Sequence, residues 1–183
     1  MTPGTTEAFL ELWSQWYFDP REDLYESNIG RELTPERIRL LFEWKNGGPL
    51  SEAKRTSVER NYIDHLNDVV SFGDSTGPED FLRRFPQGGA IWRIFWLHCW
   101  KPERFPIYDQ HVYRSMMYII EGRCDEMPKW DEGIVESYIT KHLPFYREQL
   151  PELPNRQVDK ALWFFGKFLK GFPCRQRAEE PCT

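Results

Sequence analysis

Residues 85–116, FPQGGAIWRIFWLHCWKPERFPIYDQHVYRSM, constrain this chain more than any other stretch. A helix end runs into a Gly-Gly turn and an apolar helix. A loop bracketed by Pro102 and Pro106 follows, and Asp109 opens a further helix. Glycines accept turn conformations that other residues resist, and an aspartate just ahead of helical spacing acts as an N-cap.

Similar punctuation runs along the rest of the chain. Residues 7–18 set Phe9, Leu12, Trp13, Trp16 and Tyr17 at helical spacing, and Asp19-Pro20 ends the run. Thr34-Pro35-Glu36 joins a hydroxyl cap, a first-turn proline and an acid at the positive end of the dipole. That helix passes Ile38, Leu41 and Phe42 to Trp44 and stops at Asn46-Gly47-Gly48-Pro49. Residues 51–70 predict one long polar helix with Val58, Tyr62, Ile63, Leu66 and Val70 facing inward. Further helices are expected over 78–84, 90–100, 109–120, 130–142 and 157–170. Strand signals are scarce, so the expectation is an all-α domain of seven to nine helices.

At 183 residues the chain fits a single domain with a sizeable core. It divides into N-terminal helices (7–70), a hairpin and catalytic segment (78–122), C-terminal helices (130–171) and a tail, 172–183, expected to be mobile. Aromatics make up 16% of the residues, with 8 Trp, which argues for a ring-built interior and against disorder. No run of 18 apolar residues exists, so no membrane span is expected, and the N-terminus lacks the marks of an export signal. Cys99, Cys124, Cys174 and Cys182 are irregularly spaced, which reads as reduced thiols in a cytoplasmic protein. His65, His98 and His142 have no partners at metal-ligand spacing, so no metal site is expected. A net charge of -5 suits nucleic acid poorly unless a basic face is set apart from the acidic stretches.

Pro86-Gln87-Gly88-Gly89 and, 23 positions after Pro86, the string Asp109-Gln110-His111-Val112-Tyr113-Arg114 resemble the core of the helix-hairpin-helix DNA glycosylases. In that superfamily a Pro-Gly-apolar-Gly hairpin holds a DNA phosphate, and the aspartate of an Asp-x-His-[Val/Ile]-x-Arg string performs the chemistry. The resemblance implies a monomeric enzyme acting on double-stranded DNA that carries a damaged or modified base, in repair or in defence against modified foreign DNA. It implies no cofactor, because only Cys174 and Cys182 lie where some members hold an iron–sulfur cluster with four cysteines. The position of the members' Schiff-base lysine is taken by Ile91, which implies a monofunctional enzyme that uses water; Lys45 leaves an amine from another helix open. The alternative is a DNA-binding or protein-interaction module that keeps the fold without the chemistry.

The residues carry their own chemistry. Gln87, Gly88 and Gly89 precede a helix whose first N–H groups lack partners, which suits a phosphate or a plain helix corner. Asp109 is a cap in its bland reading; in its functional one, its charge steadies an oxocarbenium-like sugar or orients water. His111 is read as a phosphate or sugar contact or a buried loop anchor, and Arg114 as a structural ion-pair partner before a DNA contact. Tyr108 belongs to the extended approach to Asp109. An enzyme that extracts a base must also house it. The end of the third-decade helix offers Trp44 to stack, Glu43 and Asn46 to read an edge and Lys45 to meet a phosphate, or a half-buried Trp with an ordinary C-cap. Trp92, Trp96 and Trp100 recur every four residues and read as core.

Overall fold

Side chains that can cap a helix stand where the helices begin. Thr34 accepts from the Arg37 amide, Ser51 from Lys54, and Asp109 from both His111 and Val112. The computed structural model describes residues 3–150 and 156–171, and all regular structure among them is helical. In chain order the helices are α1 (Pro3–Ser14), α2 (Glu22–Glu26), α3 (Pro35–Asn46), α4 (Glu52–Asn61), α5 (Leu66–Val70), α6 (Pro78–Arg84), α7 (Ala90–Trp100), α8 (Gln110–Glu121), α9 (Asp131–Ser137), α10 (Leu143–Gln149) and α11 (Arg156–Lys170). A 3₁₀ turn, Ile63–His65, joins α4 to α5, and a π turn, Tyr138–His142, fuses α9 to α10. The all-α expectation is met. The tail 172–183 lies outside the described residues.

Three expected helices differ in detail, the one over 130–142 because a π turn carries it on into α10. The first ends at Ser14 instead of reaching residue 18, so Trp16 and Phe18 are exposed while Trp13 packs on Phe164, Phe165 and Phe168. The helix expected over 51–70 breaks at Tyr62, whose φ of -129° and ψ of -52° leave helical geometry. The break lets the Tyr62 ring stack on Phe42 at 4.7 Å and meet Trp96 at 5.5 Å. The 3₁₀ turn that follows resets the helical phase, so Val69 is buried and Val70 exposed, the reverse of the sequence reading.

The core is a chain of rings. Phe42, Tyr62, Phe81, Phe95, Trp96 and Phe105 are almost wholly buried, and Trp96 is the centre of the tryptophan stripe. On the far side, α11 packs against both α8 and α1. A Cβ at Gly166 would meet the His111 carbonyl oxygen at 1.9 Å, so only glycine admits this approach of α8 and α11. Close contact lets α8 side chains satisfy α11 carbonyls: Arg114 donates to Gly166 at 3.0 Å and Ser115 to Leu162. The start of α8, with Asp109 at its cap, is thereby fixed from one side.

Cys99 is a buried free thiol. Cys124 is disulfide-bonded, so the reduced-thiol expectation fails there. No helix among the described residues is long and apolar enough to cross a membrane.

Candidate active site

Asp109 caps α8 with one oxygen and leaves the other for something else. Oδ1 accepts from the His111 amide at 2.8 Å and the Val112 amide at 3.1 Å. Oδ2 lies 3.7 Å from Lys45 Nζ, which reaches in from the C-terminal turn of α3. The amine also donates to the Tyr108 carbonyl at 3.4 Å and sits 5.5 Å from the centre of the Phe95 ring. The Lys45 side chain is only 8% exposed and that of Asp109 19%. Burial pushes the Lys45 amine below its ordinary range, against the opposing pull of Asp109 and Asp159. A carboxylate fixed by two amides therefore faces an amine whose charge is costly.

The other residues read from the sequence take different places. Tyr108 is buried, its hydroxyl paired with Ser137 Oγ at 3.0 Å. His111 packs edge-on against Trp163, and burial holds its imidazole below its usual range. Arg114 is buried and bonds Glu126 at 2.9 Å as well as Gly166, which is structural work. Of the base-pocket residues, Trp44 is buried against Tyr25 at 4.4 Å, and its indole N–H has no partner. Asn46 donates to the Gly48 and Pro49 carbonyls and accepts from Lys54, so its amide is committed to the turn. Glu43 is half-buried on the same helix end.

An open pocket lies elsewhere. Tyr25, Glu26, His98, Glu103, Arg156 and Asp159 are among the residues lining a cavity of about 350 Å³, and none of residues 43–46 or 109 lines it. His98 is held by Tyr25 on one nitrogen and the Phe105 carbonyl on the other, and burial drops its pKa to about 3. The Arg156 guanidinium lies 4.6 to 4.9 Å from the Tyr17, Tyr25 and Trp44 rings and grips both oxygens of Glu22. No motif announces Arg156 or Asp159. The only sequence signal is an acid within an otherwise apolar stripe of α11.

Burial raises the Asp159 carboxyl to about 7, against Arg156 and the Tyr146 hydroxyl, which donates to it at 3.1 Å. The folded pKa lies above the unfolded one, so the folded protein binds this proton more tightly. Its stabilising effect is full below pH 3.8 and is lost as the pH climbs to about 7. Asp159→Asn removes that slope. The melting temperature of the variant is expected to gain on wild type between pH 4 and pH 8; parallel melting curves across this window would refute the raised value.

A turn through residues 85–89 joins α6 to α7. Gly88 has a φ of 101° and Gly89 of 77°, and no side chain caps the α7 N-terminus. A Cβ on Gly88 would sit 2.2 Å from the Tyr62 hydroxyl, whereas one on Gly89 would meet open space. Cations flank the turn: Lys54 lies 5.9 Å from the Trp92 ring in the first turn of α7, and Arg60 bonds Asn61 beside Gly88. Arg93 spends its guanidinium on the Leu82 and Phe85 carbonyls and so braces the loop. The two glycines should therefore separate. Gly88→Ala is expected to cost about 1–3 kcal/mol of stability from strain and overlap with Tyr62. Gly89→Glu should leave a folded protein with weaker, salt-sensitive duplex binding for all sequences alike. Equal duplex affinities for wild type and a folded Gly89→Glu protein would mean that the hairpin holds no DNA.

No family model, curated protein or solved structure matches this chain.

Proposed function

We propose that this chain is a DNA N-glycosylase that flips out and excises a damaged or modified base and leaves an abasic site. The observation that carries the reading is the meeting of Lys45 and Asp109, from helices far apart in sequence, at the head of α8. The hairpin glycines and the cations beside them supply the phosphate hold that such an enzyme needs. Loss of a base puts positive charge on the sugar, and a carboxylate held by two amides stabilises it without reorganising. In the water-using form, the N-glycosidic bond breaks with its electron pair leaving on the base. Water then bonds to C1′ and passes its proton to Asp109.

The Lys45 amine favours a second reading of the nucleophile. Ile91 cannot attack a sugar, but Lys45 lies at the carboxylate, and its burial favours the neutral, nucleophilic form. The enzyme would then hold the sugar as an imine and act as a lyase as well. A bystander fold that binds DNA or protein without chemistry is the remaining alternative.

Incubating the protein with duplexes bearing different modified bases, then treating with alkali, tests the reading. Alkali-labile sites at one modification class are expected. Intact strands across oxidised, deaminated, alkylated and bulky pyrimidine-substituted bases would leave the binding-module alternative in its place.

A further inference from the structure

The approach to Asp109 is held from behind by one helical face. Two residues of the loop, Pro106 and Tyr108, meet side chains from the junction of α9 and α10. The Tyr138 hydroxyl donates to the Pro106 carbonyl at 3.2 Å. The His142 imidazole is buried beside the loop, and neither ring nitrogen has a hydrogen-bond partner. Tyr108 is held twice, by Ser137 Oγ on its hydroxyl and by the His142 ring at 4.8 Å from its own. Tyr138 and His142 are fully buried, and Ser137 and Tyr108 nearly so.

The junction is a π turn, and its geometry matters. Residues five apart on an α-helix, such as Ser137 and His142, point about 140° away from each other. Bonding from i to i+5 widens the turn and swings such positions towards one side. A π turn at Tyr138–His142 thus lets Ser137, Tyr138 and His142 all face the same loop. Burial holds the His142 pKa at about 3, so it works as a neutral ring.

Resting on the glycosylase reading for its reaction, we propose that the π turn is a positioning device, in which Ser137, Tyr138 and His142 fix Pro106–Tyr108 so that Asp109 and the Tyr108 carbonyl meet Lys45. Ser137, Tyr138 and His142 touch no reacting atom; they act through the loop. Close packing transmits the effect, because a buried loop held at Pro106 and Tyr108 cannot slide by an ångström without breaking a contact. Misplacement on that scale is enough to cost roughly a hundredfold in a catalysed rate.

The test reads the Lys45 titration in the intact chain by nuclear magnetic resonance of ¹³Cε-labelled lysine, alongside single-turnover excision. The charges that face Lys45 are Asp109, Asp159 and Arg156, and none is altered. Tyr138→Phe removes one hydroxyl and leaves the ring; Ser137→Ala/Tyr138→Phe removes two of the loop's anchors. With the loop loosened, Lys45 loses part of the support from Asp109, so its pKa should fall below that of wild type. The single-turnover rate should drop roughly ten- to a hundredfold at unchanged duplex affinity. A Lys45 titration that superimposes on wild type in the folded Tyr138→Phe protein would overturn the proposal. Should the double variant lose its circular dichroism, the single variant decides. If the titration shifts while even wild type releases no base, the positioning role stands and the glycosylase reading fails.

Discussion

Replacing Asp109 by asparagine should slow base release by roughly 10²- to 10⁴-fold and leave duplex affinity unchanged. The substitution is close to a pure loss of charge. Asparagine keeps a side-chain oxygen where Asp109 Oδ1 caps the His111 and Val112 amides, so α8 keeps its start. What disappears is the negative charge 3.7 Å from Lys45. Lys45 then loses its nearest support for a positive charge and is more often neutral, so the fall in rate cannot be blamed on a protonated amine. The whole effect belongs to the transition state, where the sugar carries charge and the ground-state complex does not. Single-turnover excision and duplex affinity, measured on the same preparation, check this. Excision at the wild-type rate would mean that Asp109 is only a helix cap.

The helices were legible because their signals are local. Thr34, Ser51 and Asp109 each cap a helix by accepting from an amide two or three residues on, and a local pattern is enough to find them. Where the reading failed, a distant partner decided. Tyr62 leaves the helix to put its ring on Phe42 and Trp96, contacts invisible in residues 51–70 taken alone. The fusion of α9 with α10 through a π turn has one local mark, Pro144, which cannot donate an ordinary helical bond to the turn before it; the contacts of Ser137 and Tyr138 with the loop before Asp109 have none.

The site divides along the same line. Asp109 stands in a spaced string and could be picked out; its neighbours in space could not be ordered from the sequence. Lys45 was read as a phosphate contact or as a spare amine, and only the crossing of α3 by the loop before α8 puts it on the carboxylate. Trp44 and Asn46 were offered for a base, but one is packed under Tyr25 and Arg156 and the other ties off the α3 turn. Arg156 and Asp159 were missed because an ion pair inside a helical stripe reads as a solvated face until burial is known.

On the reading in which Lys45 and not water is the nucleophile, sodium borohydride added during turnover is expected to trap wild-type protein covalently on the damaged strand, and Lys45→Met to abolish the adduct. The chemistry requires a neutral amine at C1′. Burial under the Phe95 ring lowers the proton affinity of Lys45, and Asp109 Oδ2 is placed to take the proton released on attack. The N–C1′ bond forms as the base leaves with the glycosidic electron pair; ring opening then gives an imine, which hydride reduces to a stable amine link. Methionine fills a similar volume but leaves the Asp109 carboxylate without its cation, so the variant is expected to be less stable, and circular dichroism establishes that it is folded before the adduct is scored. The same substitution should stop strand nicking without alkali. Wild-type protein that creates alkali-labile sites yet traps no adduct would return the nucleophile to water, with Lys45 left as the cation that sets the charge beside Asp109. An adduct that survives in Lys45→Met would place the amine on another residue and break the link between this ion pair and the chemistry.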